Sequence, residues 1–481
     1  MYDVLIIGCG ITGAAAAYTL SKYDISVCVC ERYNDVSNGA TKANTAILHA
    51  GFDCPIGSLE ARYNIRGIEL AAEICAKLDV DRIPMPTFVI AYDTPRELDY
   101  VKELCHRGEV NGAKGVRVVD KEEALALEPA LNPNIKAALY APGSAIVNPW
   151  EYCIAMAETA VLNGADMKLS SEVKAIEKKK DHFLVETSSG TYEARFVINA
   201  AGAFSADIYN MVGGRGFYQT NYAGQYYVLD KSQGAKLHSV VFPCPDEKGF
   251  KGICVTPTVH GNLLVGPDSY QVKDADHVGT DPKTLSHLKE AGNRSVAGID
   301  FSEIIHEYAG VRPNTNIPDF IIGESDICPG FINLAGIKSP GLSSAPAIAE
   351  EAVNILKGCG LEMKEKEHIV DSRKKIVFNR LTDKEKAELI KKDPRYGRVI
   401  CRCETVTEGE IVSAIHSPIV PTTIDAIKRR CNTGMGRCQG GFCSSRVHEI
   451  LSRELGIDKE DILMDEAGTY IVTGDISGNN A

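Results

Sequence analysis

The hydrophobic positions of the first thirty residues fall into two short apolar runs, separated by a glycine turn and an alanine-rich segment. Asp3 to Ile7 is the first run, Ala14 to Leu20 is the alanine-rich segment, and Ile25 to Cys30 is the second run. Short apolar runs indicate buried strands, and the longer segment between them indicates a helix. The order strand, helix, strand predicts an α/β fold with a Rossmann-like parallel sheet.

Two later segments predict strands that return to the same sheet. Arg195 to Gly202 and Phe331 to Gly336 are apolar runs that end in small residues, and the second leads into a predicted helix over Ala345 to Leu356. The nucleotide domain is therefore expected to be discontinuous. Stretches such as Gln225 to Leu229 and Asn262 to Gly266, bounded by Pro and Gly, predict an antiparallel sheet that covers the site and holds the substrate.

The length of 481 residues predicts two or three domains. We expect a nucleotide domain assembled from 1–80, 146–215 and 306–358, a substrate domain from 81–145 and 216–305, a charged linker with one or two helices over 359–397, a cysteine-containing domain over 398–456, and a tail over 457–481 that ends in Gly-Asn-Asn-Ala, a composition that frays.

Net charge and cysteine content limit the partners and the compartment. A formal charge of −12 speaks against nucleic acid or an anionic membrane surface as the main partner. The sequence shows no apolar run of 18 or more residues and no basic and apolar leader, so we expect a cytoplasmic location. Sixteen cysteines, most of them isolated among apolar residues, fit a reducing compartment.

The glycine turn carries the signature of a dinucleotide site. Gly8 permits the tight turn, Gly10 lets the backbone approach a pyrophosphate, and Gly13 lets the helix pack against the strand. The N-terminus of that helix faces the anion. Glu31 lies 23 residues after Gly8, where a carboxylate can bind ribose hydroxyls. The motif does not separate FAD from NAD, but the strands that return to one site favour a flavin domain.

Four cysteines near the C-terminus form two close pairs, Cys401 with Cys403 and Cys438 with Cys443, and 34 residues separate the pairs. Four thiolates suit either tetrahedral zinc or an iron-sulfur cluster. The usual structural zinc spacing is CxxC or wider, so the CxC pair disfavours zinc. The spacing therefore favours an iron-sulfur cluster and leaves zinc as the alternative.

The segment from Arg398 to Val447 resembles the bacterioferritin-associated-ferredoxin type of 2Fe-2S domain, because it contains Val-Ile-Cys-Arg-Cys-Glu-Thr-Val-Thr-Glu-Gly-Glu-Ile and Gly-Met-Gly-Arg-Cys-Gln-Gly-Gly-Phe-Cys. The resemblance implies that Cys431 is a spare thiol. It implies a 2Fe-2S cluster on Cys401, Cys403, Cys438 and Cys443. Four nearby basic residues are expected either to form a solvated face or to offset the charge of the thiolates: Lys428, Arg429, Arg430 and Arg437.

Ile6 to Arg32, Lys42 to Gly67 and Tyr308 to Ile348 resemble the FAD-dependent glycerol-3-phosphate dehydrogenase family, within the D-amino-acid-oxidase-like superfamily. With the C-terminal domain, the resemblance covers nearly the whole chain and is of the anaerobic catalytic-subunit type. The stretch from Ala46 to Arg62 looks equally like the L-2-hydroxyglutarate-oxidising enzymes. The resemblance therefore implies the cofactor, FAD, more firmly than the substrate.

Oxidation of a secondary alcohol by a flavin requires a base for the hydroxyl proton and cations for an anionic substrate. The resemblance places His49 beside the flavin as the candidate base, with a purely flavin-positioning histidine as the alternative. Arg312 and Lys338 match positions that face the substrate in the family, and both suit an anion. The alternatives are an ion pair of Arg312 with Asp319 and stabilisation of reduced flavin by Lys338.

The resemblance also implies a set of FAD contacts. Thr41, Lys42 and Asn44 depart from the Ser-rich loop of the family, which leaves the substrate open. The helix that begins after Pro340 can face the flavin with its N-terminus, and capping by Ser343 is compatible with that role. The predicted FAD-contacting residues are Gly8, Gly10, Ile11, Thr12, Gly13, Glu31, Arg32, Thr41, Asn44, Ala201, Gly202, Gly336, Pro340, Gly341, Leu342 and Ser343.

The sequence thus predicts an FAD and 2Fe-2S dehydrogenase for a small anionic 2-hydroxy compound, with glycerol 3-phosphate first and L-2-hydroxyglutarate or another 2-hydroxy acid second. A flavin that can pass electrons singly to a one-electron cluster predicts a redox partner protein or subunit, and any membrane association is expected only through that partner. No nucleic-acid partner is expected. The alternative is an electron-transfer subunit whose flavin relays electrons from a substrate that a partner oxidises.

Overall fold

The computed structural model describes residues 1–246, 252–276 and 278–474. Its helices are α1 Ile11–Leu20, α2 Leu59–Lys77, α3 Pro95–Asn111, α4 Lys121–Leu127, α5 Pro149–Leu162, α6 Ser205–Met211, α7 Lys231–Gly234, α8 Pro282–Ser295, α9 Gly341–Gly358, α10 Asp383–Lys392, α11 Glu408–Ile415, α12 Ile424–Cys431 and α13 Ser444–Leu455. Within the same ranges, none of them is long and apolar enough to span a bilayer.

The strands form two large and two small sheets. They are β1 Tyr2–Ile7, β2 Val27–Cys30, β3 Ile47–Leu48, β4 Arg82–Pro84, β5 Thr87–Ala91, β6 Arg117–Asp120, β7 Ala137–Ala141, β8 Ala145–Val147, β9 Asp166–Lys168, β10 Val173–Lys178, β11 Phe183–Thr187, β12 Gly190–Asn199, β13 Tyr222–Leu229, β14 Val240–Pro243, β15 Val255–Pro257, β16 Leu263–Val265, β17 Tyr270–Gln271, β18 Ile304–Arg312, β19 Ile321–Ser325, β20 Cys328–Ala335, β21 Val399–Cys401 and β22 Val406–Thr407.

The first large sheet is built around a parallel core. β1 lies between β2 and β12, with Val4 opposite both Val27 and Phe196, and β20 runs parallel to the C-terminal half of β12. The last four residues of β1 are buried, as its unbroken apolar sequence predicts for a strand covered on both faces. Because the strands are parallel, the carboxyl ends of β1, β2, β12 and β20 meet at one edge. This confirms the predicted α/β class.

Small residues allow the helices of this domain to pack closely. α1 carries four consecutive alanines, all at most 1% exposed, and it packs against α5 and α9. On α2, a Cβ atom at Gly67 would lie 2.1 Å from the carbonyl oxygen of Ser343, so α9 approaches to backbone distance there. This approach fixes the N-terminal end of α9 over the edge where the parallel strands end.

The second large sheet forms the predicted antiparallel lobe. β13 pairs with β16 and β18 in antiparallel register, and β5 and β14 form the parallel exception. The sequence assigned residues from 306 onward to the nucleotide domain, whereas β18 continues the sheet of this lobe as far as Arg312. The cause is pairing along the whole strand, from Tyr222 opposite Arg312 to Leu229 opposite Ile304.

The C-terminal part is a small helical domain with its own core. Ile411, Ile427 and Leu451, on α11, α12 and α13, are completely buried against one another. The predicted linker contains one α-helix, α10. Beyond α13, Ile462 is also fully buried and joins this core. The final Gly-Asn-Asn-Ala lies outside the described residues.

A buried ion network joins the C-terminal domain to the nucleotide domain. Asp35 is 1% exposed, and its carboxylate accepts hydrogen bonds from both terminal nitrogens of Arg430 at 2.9 Å and from Arg429 at 3.1 Å. Arg430 also contacts Glu158 of α5 at 3.4 Å, and Arg429 contacts Asp465 at 3.1 Å. The expectation that these two arginines form a solvated face or offset the thiolates is therefore wrong. Both arginines are buried because they pair with carboxylates that are distant in sequence.

Of the other two basic residues, Lys428 pairs with Asp425 at 2.8 Å on the same helix. Arg437 pairs with Asp230 at 3.1 Å and Glu303 at 3.4 Å, so it links the C-terminal domain to the antiparallel lobe. Both therefore have carboxylate partners.

We expect Asp35→Asn to lower the free energy of unfolding by about 3–5 kcal/mol, because it leaves two buried guanidinium groups without their shared carboxylate. Asp99→Asn is the matched control. Asp99 is 77% exposed and pairs only with Lys102 on the same helix, so its loss should cost less than about 0.5 kcal/mol. Chemical denaturation followed by far-UV circular dichroism measures both changes.

The contribution of Asp35 to the free energy of unfolding should also depend on pH. Burial acts to raise the pKa of Asp35, but Arg430 and Arg429 outweigh it and hold the pKa below its ordinary value. Folding therefore favours the ionised carboxylate. Its contribution to stability is present above the unfolded-state pKa, about 3.9, and is lost as the pH falls through the lowered folded-state pKa. Equal stability of the two variants at neutral pH would contradict the assigned role of Asp35.

Candidate functional site

In the glycine turn between β1 and α1, separate segments of the backbone approach one another closely. Gly8 has φ +96°, and a Cβ there would lie 2.7 Å from the carbonyl oxygen of Ala200. A Cβ at Gly13 would lie 1.9 Å from the carbonyl oxygen of Gly8. At Gly10 the nearest atom would be the Thr41 hydroxyl, at 3.2 Å. The first two glycines are thus required for packing, while Gly10 has only the Thr41 hydroxyl near its Cβ position and lies at the start of α1, where a pyrophosphate fits.

Glu31 follows β2 and is fixed by backbone donors. Its carboxylate oxygens accept hydrogen bonds from the N–H of Cys9 at 2.6 Å and of Tyr33 at 3.0 Å. Burial raises the pKa of Glu31, and these bonds oppose the rise. Arg32, the next residue, lies 4.3 Å from the centre of the Phe204 ring and pairs with Asp276 at 3.2 Å. A carboxylate fixed in this way, at the end of β2, is positioned to bind ribose hydroxyls.

One large cavity, of about 1280 Å³, extends from this turn to the antiparallel lobe. Gly13, Gly336 and Ser343 are predicted contacts that do not line it. Its volume exceeds the 300–1,000 Å³ usual for small-molecule pockets, as a dinucleotide with a substrate requires. The predicted residues that line it are Gly8, Gly10, Ile11, Thr12, Glu31, Arg32, Thr41, Asn44, His49, Ala201, Gly202, Arg312, Lys338, Pro340, Gly341 and Leu342.

His49 lies where the chain after β3 meets the start of α9. Its backbone N–H donates to the Ser343 hydroxyl at 2.8 Å, and its Nε2 atom is 3.2 Å from the Ser339 hydroxyl. Ser343 therefore fixes His49, and it does not cap α9 with its side chain. Ser343 holds the backbone of His49 and Ser339 contacts its imidazole at the cavity wall, which suits a group that must exchange a proton at a fixed point.

Arg312 lies at the end of β18 in the antiparallel lobe. Its guanidinium donates to the carbonyl oxygens of Asp268 at 2.8 Å and Ala223 at 3.3 Å, and its distance to the Ser269 hydroxyl is 3.4 Å. Within the described residues it has no carboxylate within 4 Å, so the alternative pair with Asp319 is not formed. These neutral acceptors orient the guanidinium at the cavity wall without forming an ion pair with a described carboxylate.

Asp319 has a different role. Its carboxylate accepts hydrogen bonds from the N–H groups of Leu59 at 2.8 Å and Glu60 at 3.1 Å, at the start of α2. Lys338 has its own anion, because its Nζ atom forms an ion pair with Glu60 and donates to the carbonyl oxygen of Pro318 at 3.0 Å. The charge of Lys338 is therefore shared with a protein carboxylate, unlike the charge of Arg312.

The loop over 33–44 contains structural contacts that the sequence motif did not identify. The Thr41 hydroxyl accepts from the N–H of Ile11 at 2.9 Å, at the first residue of α1. The Asn44 amide donates to two carbonyls of its own loop. At Gly310 of β18, a Cβ would lie 2.1 Å from the carbonyl oxygen of Ala43, so the antiparallel lobe touches this loop.

Cavity-lining residues outside the predicted set come mostly from other parts of the chain. Tyr33, Phe204 and Asn148 belong to the nucleotide domain, and Lys428 and Glu466 belong to the C-terminal part. No local signal marks Lys428 and Glu466, because only the packing of separate domains brings them to the cavity. Lys42 was noted as unusual for its loop but was not predicted as a site residue, and it lines the cavity as well.

The four predicted cysteine ligands lie together as two pairs. The Sγ atoms of Cys403 and Cys438 are 3.5 Å apart. Cys401 and Cys443 are buried together, and the hydrogen bond between their thiols lowers the pKa of Cys401 to about 6 and raises that of Cys443. Cys401 therefore ionises readily, as a metal ligand must.

The loop that carries two of these ligands requires glycine at Gly440. Its φ is +86°, and a Cβ there would lie 2.4 Å from the Ser444 hydroxyl.

Cys431 is separate from the four predicted ligands. Its thiol donates to the carbonyl oxygen of Ile427 at 3.4 Å, and burial raises its pKa to about 12. Two close pairs of thiols fit a cluster of two metal atoms better than four thiols around one zinc ion.

The two sites together define a class of protein, redox proteins that bind a dinucleotide and a metal–thiolate cluster. The comparisons agree with that class. Residues 3–355 match the family model described as FAD dependent oxidoreductase, and residues 399–453 match the BFD-like 2Fe-2S binding domain. The chain belongs to the FAD dependent oxidoreductase family. FAD, the 2Fe-2S cluster and an enzyme of this class are thereby confirmed as predicted.

Individual relatives cover from about three quarters to nearly all of the chain. A glycerol 3-phosphate dehydrogenase of Caloramator mitchellensis is 45% identical over 98% of both chains. A glycerol 3-phosphate oxidase of Mycoplasma pneumoniae is 33% identical over 74% of this chain and 94% of its own. Among solved structures, the reduced L-alpha-glycerophosphate oxidase of Mycoplasma pneumoniae, with FAD bound, has a TM-score of 0.73 at 31% identity and covers 77% of this chain and 98% of its own.

We expect Gly13→Ala to weaken FAD binding at least tenfold, about 1.4 kcal/mol, because the new Cβ would meet the Gly8 carbonyl and displace the turn. Gly358→Ala is the control: it lies at the exposed end of α9, does not line the cavity, and its Cβ meets nothing within 4 Å. The ratio of FAD to protein after purification, and titration of the apoprotein with FAD, measure the effect. Normal FAD affinity in Gly13→Ala would contradict the assigned packing role.

We expect replacement of Cys401, Cys403, Cys438 or Cys443 by Ser to abolish or greatly weaken the cluster, since a hydroxyl is a poor ligand for iron. Cys431→Ser should keep the cluster, because this thiol bonds only to its own helix and to Thr433. Iron and sulfide analysis of anaerobic preparations, with the paramagnetic signal of the reduced cluster, tests both. Stoichiometric zinc without iron would overturn the assignment.

Proposed function

We propose that this protein is a cytoplasmic dehydrogenase that oxidises glycerol 3-phosphate and passes electrons from FAD through its 2Fe-2S cluster to a separate redox protein or subunit. The observation that supports it most directly is Arg312, an oriented cation at the wall of a cavity large enough for FAD, with no carboxylate of the described residues within 4 Å. A guanidinium in this position can fork onto the phosphate of a small substrate. The identity to glycerol 3-phosphate dehydrogenases and oxidases supports the choice of substrate.

Residues of this chain supply the proton transfer and the substrate binding that the reaction also requires. When bound, FAD would supply a two-electron acceptor for the carbon that bears the substrate hydroxyl, and the cluster would supply one-electron transfer. His49 takes the proton of that hydroxyl at Nε2, the nitrogen that faces the Ser339 hydroxyl. Arg312 binds the anionic group and so fixes the distance between the hydroxyl and His49. Lys338, partly neutralised by Glu60, is a second cation on the same cavity.

The electron acceptor is proposed on the basis of the cluster domain. A relative from Haemophilus influenzae, 25% identical over 94% of this chain and 84% of its own, is one of the subunits of an anaerobic glycerol-3-phosphate dehydrogenase. We infer that this chain also passes its electrons to a partner protein, and that any contact with a membrane is made by that partner. All sixteen cysteines are free, which supports a reducing compartment such as the cytoplasm.

We expect Arg312→Ala to raise the substrate concentration needed for half-maximal flavin reduction about tenfold or more, because a charge-assisted contact contributes about 1.5–3 kcal/mol. FAD should stay bound. Arg117→Ala, an exposed arginine of the same lobe that pairs with Glu123 outside the cavity, is the control. Anaerobic flavin bleaching with glycerol 3-phosphate, L-2-hydroxyglutarate and other hydroxy acids identifies the substrate. Bleaching only by a reduced partner protein would instead favour the electron-transfer role.

We expect His49→Ala to slow flavin reduction by about 10² to 10⁴, the usual cost of losing a general base. Substrate affinity should change less, because His49 acts on the hydroxyl and Arg312 on the anion. Stopped-flow reduction at saturating substrate measures this rate. A wild-type rate in His49→Ala would leave the histidine as a flavin-positioning residue.

A further inference from the structure

The chain beyond the cluster domain turns back toward the FAD domain. Residues 463–469, here called the C-terminal clasp, lie outside both family matches, which end at 355 and 453. Their backbone is fixed to the start of α12, where the N–H of Ile424 donates to Leu463 at 3.2 Å and that of Asp425 donates to Met464 at 2.8 Å. The clasp is therefore anchored on the cluster domain.

The other side of the clasp holds the loop over 33–44. Lys42 Nζ lies 2.8 Å from the Asp465 carboxylate and 3.7 Å from that of Glu466. The Asn34 amide donates to the carbonyl oxygen of Asp465 at 2.6 Å. Asp465 also pairs with Arg429 at 3.1 Å, so it joins this loop to the buried network around Asp35.

This loop forms part of the FAD cavity. Lys42 lines the cavity together with Glu466 of the clasp. Thr41, the neighbour of Lys42, accepts the N–H of Ile11 at the first residue of α1. A displacement of Lys42 therefore moves Thr41 and the helix start at which the pyrophosphate binds.

We propose that the C-terminal clasp completes the FAD site by holding Lys42, and that FAD is retained more weakly whenever the clasp is released. Two carboxylates already surround the Lys42 ammonium, so it acts as a positioning residue for the loop and not as a phosphate ligand. The cluster domain is thereby coupled to flavin retention through one short segment, in addition to its place in electron transfer.

Charge variants on the two sides of the contact test the clasp in the full-length holoprotein. Lys42→Met and Asp465→Asn should each release FAD about three- to tenfold faster, as expected for a half-buried ion pair. The double variant should be no faster than the faster single variant, because both changes break the same contact. Lys42→Arg should retain most of the wild-type behaviour. Glu460→Gln, which removes one exposed charge just before the clasp and breaks no described ion pair, is the matched control.

FAD release is followed by the recovery of free-flavin fluorescence, and the apoprotein is then titrated with FAD. Iron content and the reduced-cluster signal should be unchanged, which separates a local effect from unfolding. If Asp465→Asn fails to fold because Arg429 loses a partner, Lys42→Met decides, since it leaves that pair intact. Release rates equal to that of Glu460→Gln in Lys42→Met would overturn the proposal. No outcome depends on which hydroxy compound is the substrate.

Discussion

The arrangement of the domains depends on how the charge of Asp35 is compensated. An isolated carboxylate at 1% exposure would be very costly, and so would two guanidinium groups buried beside it. Asp35 and Arg430 are tolerated because the other domain supplies their counter-charges, and Arg429 is paired with Asp35 and with Asp465 of the C-terminal part. The pairing contributes specificity more than net stability, since it allows one relative position of the domains and penalises all others. That position is what brings the cluster domain to the edge of the flavin cavity.

Features of the fold that depend on residues close together in the sequence could be predicted, whereas features that depend on distant residues could not. The strand, turn and helix around Gly8 and the paired cysteines are local in sequence, and both were read correctly. The environments of Arg429 and Arg430 were not, because a run of basic residues has the same appearance whether it is solvated or buried against distant carboxylates. The membership of β18 was misassigned for a similar reason, since pairing with β13 is decided some 80 residues away.

The candidate site shows the same limit at the level of single side chains. The sequence selected Arg312 and Lys338 as equivalent cations. The structure separates them, because Lys338 has a carboxylate partner in Glu60 and Arg312 has only neutral acceptors. His49 belongs to the flavin domain and Arg312 to the antiparallel lobe, so the distance between base and anion site is set by the contact of two domains. The close approach of Gly310 to Ala43 is the point at which that distance is fixed.

The two thiol pairs differ in their access to solvent, and this difference affects how the protein is oxidised on exposure to air. Cys401 and Cys443 are at most 2% exposed, whereas Cys403 lies at the surface. We therefore expect oxygen and peroxide to reach a bound cluster from the side of Cys403 and Cys438, with damage beginning at Cys403. Iron would be lost while the flavin domain, with its separate core, stays folded. Material handled in air would then become a yellow protein that still accepts electrons from its substrate but has lost the route by which they leave.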